Sequence, residues 1–353
     1  MDEVSFLNPC CKAIGPPKAR VMAIGEAPGE QEELTGIPFI GSAGQEFDRL
    51  LGEAGFSRSD LYLTNVLWTR PPANKLEAFC VTKKDLPSGY SLPTLSSGKY
   101  LHPSLLPELD RLRSEIASVS PNLIFALGNT ACWAVFGQTG ISKIRGTVQA
   151  GPHGIKVLPT YHPSHVLRQW DVRPIVLADL IKGRREADFP EIRRPRRSVI
   201  INPSLTEIRE FVERALLAKL MAVDIETRNR QITCIGFAIA RDDALVIPFV
   251  DLRKKPPNYW EDPAHEAWAW LQVQALLASP SRKIFQNGLY DLQYLRRMGL
   301  HIENCAEDTM LQHHAMYPEL LKGLGFLGSA YTNEASWKLL RQRSSDDLKG
   351  DDE

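Results

Sequence analysis

An apolar run, Val21-Met22-Ala23-Ile24, leads straight into Gly25-Glu26-Ala27-Pro28-Gly29 and then Gly36-Ile37-Pro38-Phe39-Ile40-Gly41-Ser42-Ala43-Gly44. The run reads as a buried strand. Seven Gly or Pro residues within the 20 positions that follow Ile24 force the backbone to turn sharply and to approach something closely. A carboxylate, Glu26, stands at the strand's end, and an aromatic ring, Phe39, follows 13 residues on. That arrangement suits a pocket that stacks a flat ring and presents a polar group beside it.

The rest of the first half alternates strand and helix. Strand signals lie at 20–25, 61–67, 123–128 and 155–161, with helical stretches near 43–54, 105–117 and 129–136. That order predicts a parallel sheet with helices on both faces. Ligands in such sheets bind beyond the carboxyl ends of the strands. Glu26, Asn65 and His162 each follow a strand. Residues 75–104 are rich in Lys, Ser, Pro and Gly and read as a long loop or insertion. A break comes at 182–204, where Arg and Lys outnumber acids and Pro190, Pro195 and Pro203 interrupt any helix.

The second half opens on a helical stretch, 205–219, followed by strand signals at 221–227, 232–240 and 244–250. Short connections make these an antiparallel meander. A Trp-rich helix (264–277), a strand (283–286) and two further helices complete an α/β domain. Within the first of these strands, Asp224 and Glu226 stand two residues apart and so share a face. Asp291 opens a helix after Asn287-Gly288-Leu289-Tyr290. The expected organisation is a first domain at 1–183, a basic linker at 184–204, a second domain at 205–343 and a disordered tail at 344–353.

Composition narrows the function classes. At 353 residues, 43% apolar and 24% charged, the chain is long enough for two cores and is not of disordered type. No apolar run reaches 18 residues, so no membrane span is expected, and the polar start is no signal peptide. A cytoplasmic location follows as the expectation. Zero net charge leaves a nucleic-acid partner open, because local patches matter more than the total. Six cysteines without a secretory signal read as reduced thiols or metal ligands.

Four motifs carry a resemblance: the Gly/Pro-rich opening, Thr64-Asn65-Val66, Arg70-Pro71-Pro72-Ala73-Asn74 and His162-Pro163-Ser164. In this order they resemble the uracil-DNA glycosylase superfamily, closest to its family 4, over residues 20–185. The resemblance implies a three-layer α/β/α glycosylase domain acting on uracil-containing DNA, with single strands accepted. It implies Phe39 as the stacking platform, Asn65 as the reader of the uracil edge, Glu26 and Asn74 as catalytic support, and His162 as stabiliser of the leaving anion. Leu167 is the candidate wedge for the gap left by a flipped base, with Val166 as the alternative. An alternative reading is a module that grips uracil-DNA without excising it.

Two departures matter. The family holds a [4Fe–4S] cluster on four cysteines. Here the N-terminal pair is adjacent, Cys10-Cys11, and Thr69 and Glu108 stand where two more would be, leaving Cys80 in the inserted loop. Four thiolates are needed, so the cluster is expected to be absent. The inserted loop carries His102. A uracil-trapping relative uses a loop His in the same interval as a covalent nucleophile, which makes His102 a candidate for that role.

Near residue 200 a second resemblance begins, to 3′-5′ exonucleases of the DEDD type with a ribonuclease H-like fold. Asp224, Glu226 and Asp291 match the carboxylates of the first two motifs and imply Mg²⁺ or Mn²⁺. The third motif, a Tyr or His three residues before a final Asp, has no match after Tyr331, so metal binding with weak turnover is the expectation. A glycosylase joined to an exonuclease resembles fusion proteins of bacteriophages and some bacteria.

Overall fold

The computed structural model describes residues 8–194 and 196–332. The chain divides into two units: the N-terminal part through Arg193 together with the stretch from Gly325, and the intervening Arg194–Leu324.

The first unit is built on five strands: β1 (Val21–Gly25), β2 (Leu61–Asn65), β5 (Leu123–Leu127), β7 (Lys156–Thr160) and the short β6 (Gln149–Ala150). They lie in the order β2-β1-β5-β7-β6. The first four run parallel, and β6 pairs antiparallel at the edge. Strands β1, β5 and β7 are buried at every position. Strands covered on both faces read as continuous apolar runs, which is why β1 and β5 were visible in the sequence.

Helices α1 (Glu30–Thr35), α2 (Ser42–Glu53), α3 (Leu106–Val119), α4 (Gly128–Phe136), α5 (Ile141–Ile144), α6 (Pro163–Arg168) and α7 (Arg173–Glu186) complete the α/β/α unit. The inserted loop carries a two-stranded ribbon, β3 (Cys80–Val81) with β4 (Tyr100–Leu101). From β1 the chain goes to β2 on one side, then crosses to β5 on the other. That reversal opens a crevice at the carboxyl ends of β1 and β5.

The second unit has six strands in the order β13-β12-β9-β10-β11-β8. These are β8 (Ser198–Ile200), β9 (Leu220–Arg228), β10 (Gln231–Ala238), β11 (Asp243–Pro248), β12 (Arg282–Phe285) and β13 (Cys305–Asp308). The meander β9-β10-β11 is antiparallel, while β12 joins β9 and β13 in parallel. This is the ribonuclease H-like arrangement that the second resemblance implied. Helices α8 (Leu205–Ala215), α9 (Pro263–Leu277), α10 (Gly288–Arg297) and α11 (Thr309–Met316) accompany the sheet. Ser204 and Glu207 start α8 with a reciprocal capping box: the Ser204 hydroxyl accepts from the Glu207 amide at 3.2 Å, and the Glu207 carboxylate accepts from the Ser204 amide at 2.8 Å. On β9, Met221, Val223 and Ile225 are buried while Ala222, Asp224 and Glu226 are exposed, the period-two alternation of a half-buried strand.

Three boundaries differ from the sequence expectation. Helix α7 continues past 183, because Glu186 is buried and its carboxylate and carbonyl both hold Lys156 Nζ, at 3.0 and 2.6 Å. The expected linker at 184–204 contains β8, which pairs in parallel with β11. The last described helix, α12 (Leu324–Tyr331), falls in the stretch expected to close the second domain, yet from Gly325 on it groups with the first unit. There Lys182 Nζ donates to the carbonyls of Gly146, Ser329 and Thr332, and Arg145 donates to Ser329 Oγ at 3.2 Å. The expected tail at 344–353 lies outside the described residues. No helix among those described is long and apolar enough to cross a membrane.

Candidate functional site

A cavity of about 890 Å³ opens at the β1/β5 crevice, and Glu26, Phe39, Asn65, Asn74 and His162 all line it. The structure therefore brings five of the predicted residues to one place. Leu167 and His102 do not line it.

Gly25 decides how close the base-facing groups come. A Cβ there would stand 2.4 Å from Asn65 Oδ1 and 2.6 Å from Phe39 Cζ. Only glycine lets the amide and the ring close on the end of β1. Phe39 itself has φ +56 and is 5% exposed. Its backbone is clamped from both sides. Arg58 donates to the carbonyls of Pro38 and Phe39, at 2.5 and 2.9 Å, and Gly44 passes so near that a Cβ would lie 2.0 Å from the Phe39 carbonyl. Glu32 holds the same loop by accepting from the amides of Gly29, Ile40 and Gly41. The backbone so clamped carries the ring 6.4 Å from the His162 ring and inclined to it by 29°.

His162 caps α6. Its Nδ1 accepts from the Ser164 amide at 3.2 Å, with the Ser164 hydroxyl 2.8 Å away. A neutral imidazole accepting at Nδ1 carries its proton on Nε2. Burial, then the neighbouring Arg168 charge, pushes the imidazole down to about 4, so it is neutral near pH 7. Glu26 is pushed above the ordinary carboxylate range, chiefly by burial. Thr130 opposes that shift by donating to Glu26 Oε2 at 2.5 Å. Asn74, exposed and at φ +56, accepts from Arg70 Nε at 2.8 Å through Oδ1, which leaves its amide nitrogen as a donor.

Leu167 is 44% exposed on α6, whereas Val166 is fully buried; of the two wedge candidates, only Leu167 is accessible. His102 sits in a His-Pro-Ser cap that repeats the His162 geometry. Its Nδ1 accepts from the Ser104 amide at 3.2 Å, with the Ser104 hydroxyl at 2.7 Å. Thr130, Glu32 and Arg58 were missed by the sequence reading. Thr130 had a signal: it closely follows the end of β5, as Glu26 follows β1 and His162 follows β7.

The thiols do not fit a four-cysteine cluster. Cys10 Sγ donates to the Trp68 carbonyl at 3.4 Å, and burial pushes Cys11 up to about 12 and Cys80 up to about 11. Thr69 accepts from the Asn8 amide at 3.3 Å. Glu108 is 4% exposed and accepts from the Trp68 amide at 3.3 Å and from Arg111 at 2.8 Å. Among the described residues, no three His, Cys, Asp or Glu side chains come together to hold a metal ion.

That statement covers the second unit too. Asp224 and Glu226 share the exposed face of β9, and Asp291 is brought under it from the first turn of α10. Asp291 Oδ1, however, accepts from the Ile225 amide at 3.0 Å. Burial, with Asp224 and Asp308 nearby, pushes this carboxyl up to about 6. Asp308 spends both oxygens on backbone amides of 287, 288, 310 and 311.

Residues 13–181 match the family described as the uracil DNA glycosylase superfamily. The type-4 uracil-DNA glycosylase of Thermotoga maritima is 36% identical over 169 residues, covering 47% of this chain and 76% of that protein. The chain belongs to the uracil-DNA glycosylase superfamily. A DNA polymerase of Bacillus phage SP01 is 25% identical over 236 residues, 64% of this chain and 23% of the polymerase. Among solved structures, Escherichia coli RNase D, an exoribonuclease, aligns over 44% of this chain and 40% of its own with 16% identity and a TM-score of 0.30. The matched span, 13–181, holds every residue of the glycosylase cavity and stops before β8.

Proposed function

We propose that the first unit binds uracil flipped out of DNA and hydrolyses its N-glycosidic bond. The observation that carries this reading is that His162 Nδ1 accepts from the Ser164 amide, which leaves Nε2 as the donor, in the same cavity as the Phe39 ring and the Asn65 amide. Phe39 stacks the base. Asn65 offers a donor and an acceptor together, which is what the uracil edge needs. As the C1′–N1 bond breaks, the sugar becomes cationic and uracil becomes anionic. The neutral His162 donates to the uracil oxygen where the charge develops, and a preorganised donor in a dry site stabilises it strongly. Glu26, as carboxylate, faces the sugar cation. Thr130 occupies one of its oxygens, and the other both orients the water that adds to C1′ and takes the proton that the water releases, which then neutralises the departed uracil anion. Asn74 supports that water through its amide nitrogen, and Leu167 fills the space the base vacates.

The second unit is an exonuclease-like domain that acts on DNA. Degradation of a 3′-exposed single strand with Mn²⁺ is expected to be weak; brisk, EDTA-sensitive trimming abolished by Asp224→Ala would reverse that assignment. For the first unit, the test is incubation with single-stranded uracil-DNA, measuring free uracil and protein–DNA adduct together. Free uracil without adduct supports hydrolysis. Adduct lost in His102→Ala would mean capture instead. Equal handling of uracil and thymine DNA would remove the pocket assignment altogether.

A further inference from the structure

The residues at the family's cluster positions gather around Trp68, and a different device fills the place. The Trp68 carbonyl accepts from the amides of Cys10 and Cys11, at 3.0 and 3.3 Å, which ties down the N-terminal segment. The Trp68 amide donates to Glu108, and its indole Nε1 donates to Thr64 Oγ1 at 3.3 Å. Arg111 lies over the indole, its guanidinium carbon 4.2 Å from the ring centroid. Each nitrogen of that guanidinium has work to do. Nε donates to Glu108 at 2.8 Å, and Nη1 pairs with Glu115 at 2.9 Å. Nη2 donates to the carbonyls of Asn65 and Val66, both at 2.8 Å. The Arg111 side chain is 17% exposed.

We propose that Arg111 is the positioning residue for Asn65, and that its ion pairs and stacking tie together the N-terminal segment, the end of β2 and α3 as iron ligation would, so that the glycosylase unit works without iron. The inference rests on the reading that Asn65 recognises uracil. The physical case is directional. The two carbonyls that follow the β2 ladder need donors on one side, while the amides of Val66 and Leu67 already donate to Gly25 and Glu26 at 3.0 Å. A planar fork held by two carboxylates serves both carbonyls at once. A lysine ammonium cannot match that geometry.

The test uses the full chain carrying Arg111→Lys, with Glu108→Gln as a second, milder variant that keeps an acceptor for the Trp68 amide. Three measurements are made: iron content of the unsubstituted protein, inhibition by free uracil with KM and kcat on uracil-DNA, and amide hydrogen exchange by segment. Expected are an iron-free active protein and, in Arg111→Lys, a rise of about tenfold in KM and in the uracil inhibition constant, the scale of one lost charged hydrogen bond. The kcat should change far less. Exchange should speed up at residues 66–68 while 123–127 stay protected. Stoichiometric iron overturns the proposal. So does unchanged exchange at 66–68, or a loss of stability with an unmoved uracil constant. If the unsubstituted protein shows no inhibition by uracil, the functional reading fails by itself, and the exchange measurement still decides whether Arg111 holds the segment.

Discussion

Both units present polar groups at the ends of strands, yet they hold those groups differently. In the glycosylase unit each group is held by a neighbour that leaves its working atom available. Ser164 takes Nδ1 of His162 and leaves Nε2; Arg70 takes Oδ1 of Asn74 and leaves the amide nitrogen. In the second unit Asp308 and one oxygen of Asp291 are tied to backbone amides, while Asp224 and Glu226 stand on the exposed face of β9. Asp308 caps two helices, and Asp291 accepts from β9 while facing the Asp224 and Asp308 charges. A motif thus reports which residues meet, whereas function depends on which of their atoms remain uncommitted.

The sharpest way to break this comparison is Asn65→Ala. A site built to hydrogen-bond its substrate loses discrimination steeply, so preference for uracil over thymine DNA should fall by on the order of 10⁴-fold. Unchanged preference would place the two units on the same footing, as collections of motifs without a working pocket.

Next in size is Asp291→Asn. Asp291 has its folded pKa raised to about 6, so the folded state holds a proton that the unfolded chain releases near its ordinary value. Its stabilising contribution is whole below the unfolded pKa of about 4 and is lost as pH rises through about 6. The Asn variant keeps the acceptor for Ile225 and removes the charge. It should stabilise the second unit at pH 7 by up to ~3 kcal/mol, with no gain near pH 4. Thermal melts at the two pH values check this. A destabilised variant at pH 7 would mean that the ionised carboxylate is compensated, which requires a bound cation.

A smaller effect is expected at Thr130. Glu26 must be ionised to face the sugar cation, and its pKa is raised, so kcat/KM should fall on the acid side above the ordinary carboxylate pKa. Because the Thr130 hydroxyl lowers that pKa, Thr130→Val should move the acid limb to higher pH. An acid limb that stays where it was would put its origin elsewhere than Glu26. His162, with its pKa near 4, would be the next candidate.

The smallest concerns ownership of α12. Ser329→Ala leaves an Arg145 N–H without its acceptor and should cost about 1–2 kcal/mol. The loss should appear in the melt of the glycosylase unit. A shift confined to the second unit would contradict the division of the chain.

Much of the glycosylase site was legible because its strands are buried on both faces and end in glycine, proline or polar residues. Uninterrupted apolar runs marked β1 and β5, and Glu26, Asn65 and His162 stood out as polar residues at or just past strand ends. Thr130 was not legible as a partner of Glu26. The two are 104 positions apart, and only the side-by-side placement of β1 and β5 joins them. Arg111 was hidden for a different reason. An Arg with Glu three residues before and four after reads as solvated helix pairing, and nothing local shows that two backbone carbonyls await it. The strand in the basic linker was missed because Ser198–Ile200 is short and flanked by arginines. Its pairing with β11 comes from tertiary packing, not propensity.

The return of residues 325–332 to the first unit makes the order of synthesis matter. Chains fold from the N-terminus as they emerge, at roughly 5–20 residues per second. Lys182 and Arg145 are therefore made long before Ser329 and Thr332 exist to receive their protons. Arg145 already has Asp179 and Lys182 already has the Gly146 carbonyl, so for on the order of ten seconds the nascent unit lacks only the further acceptors that Ser329 and Thr332 supply. The stretch that supplies them joins the first unit only after the second has been translated.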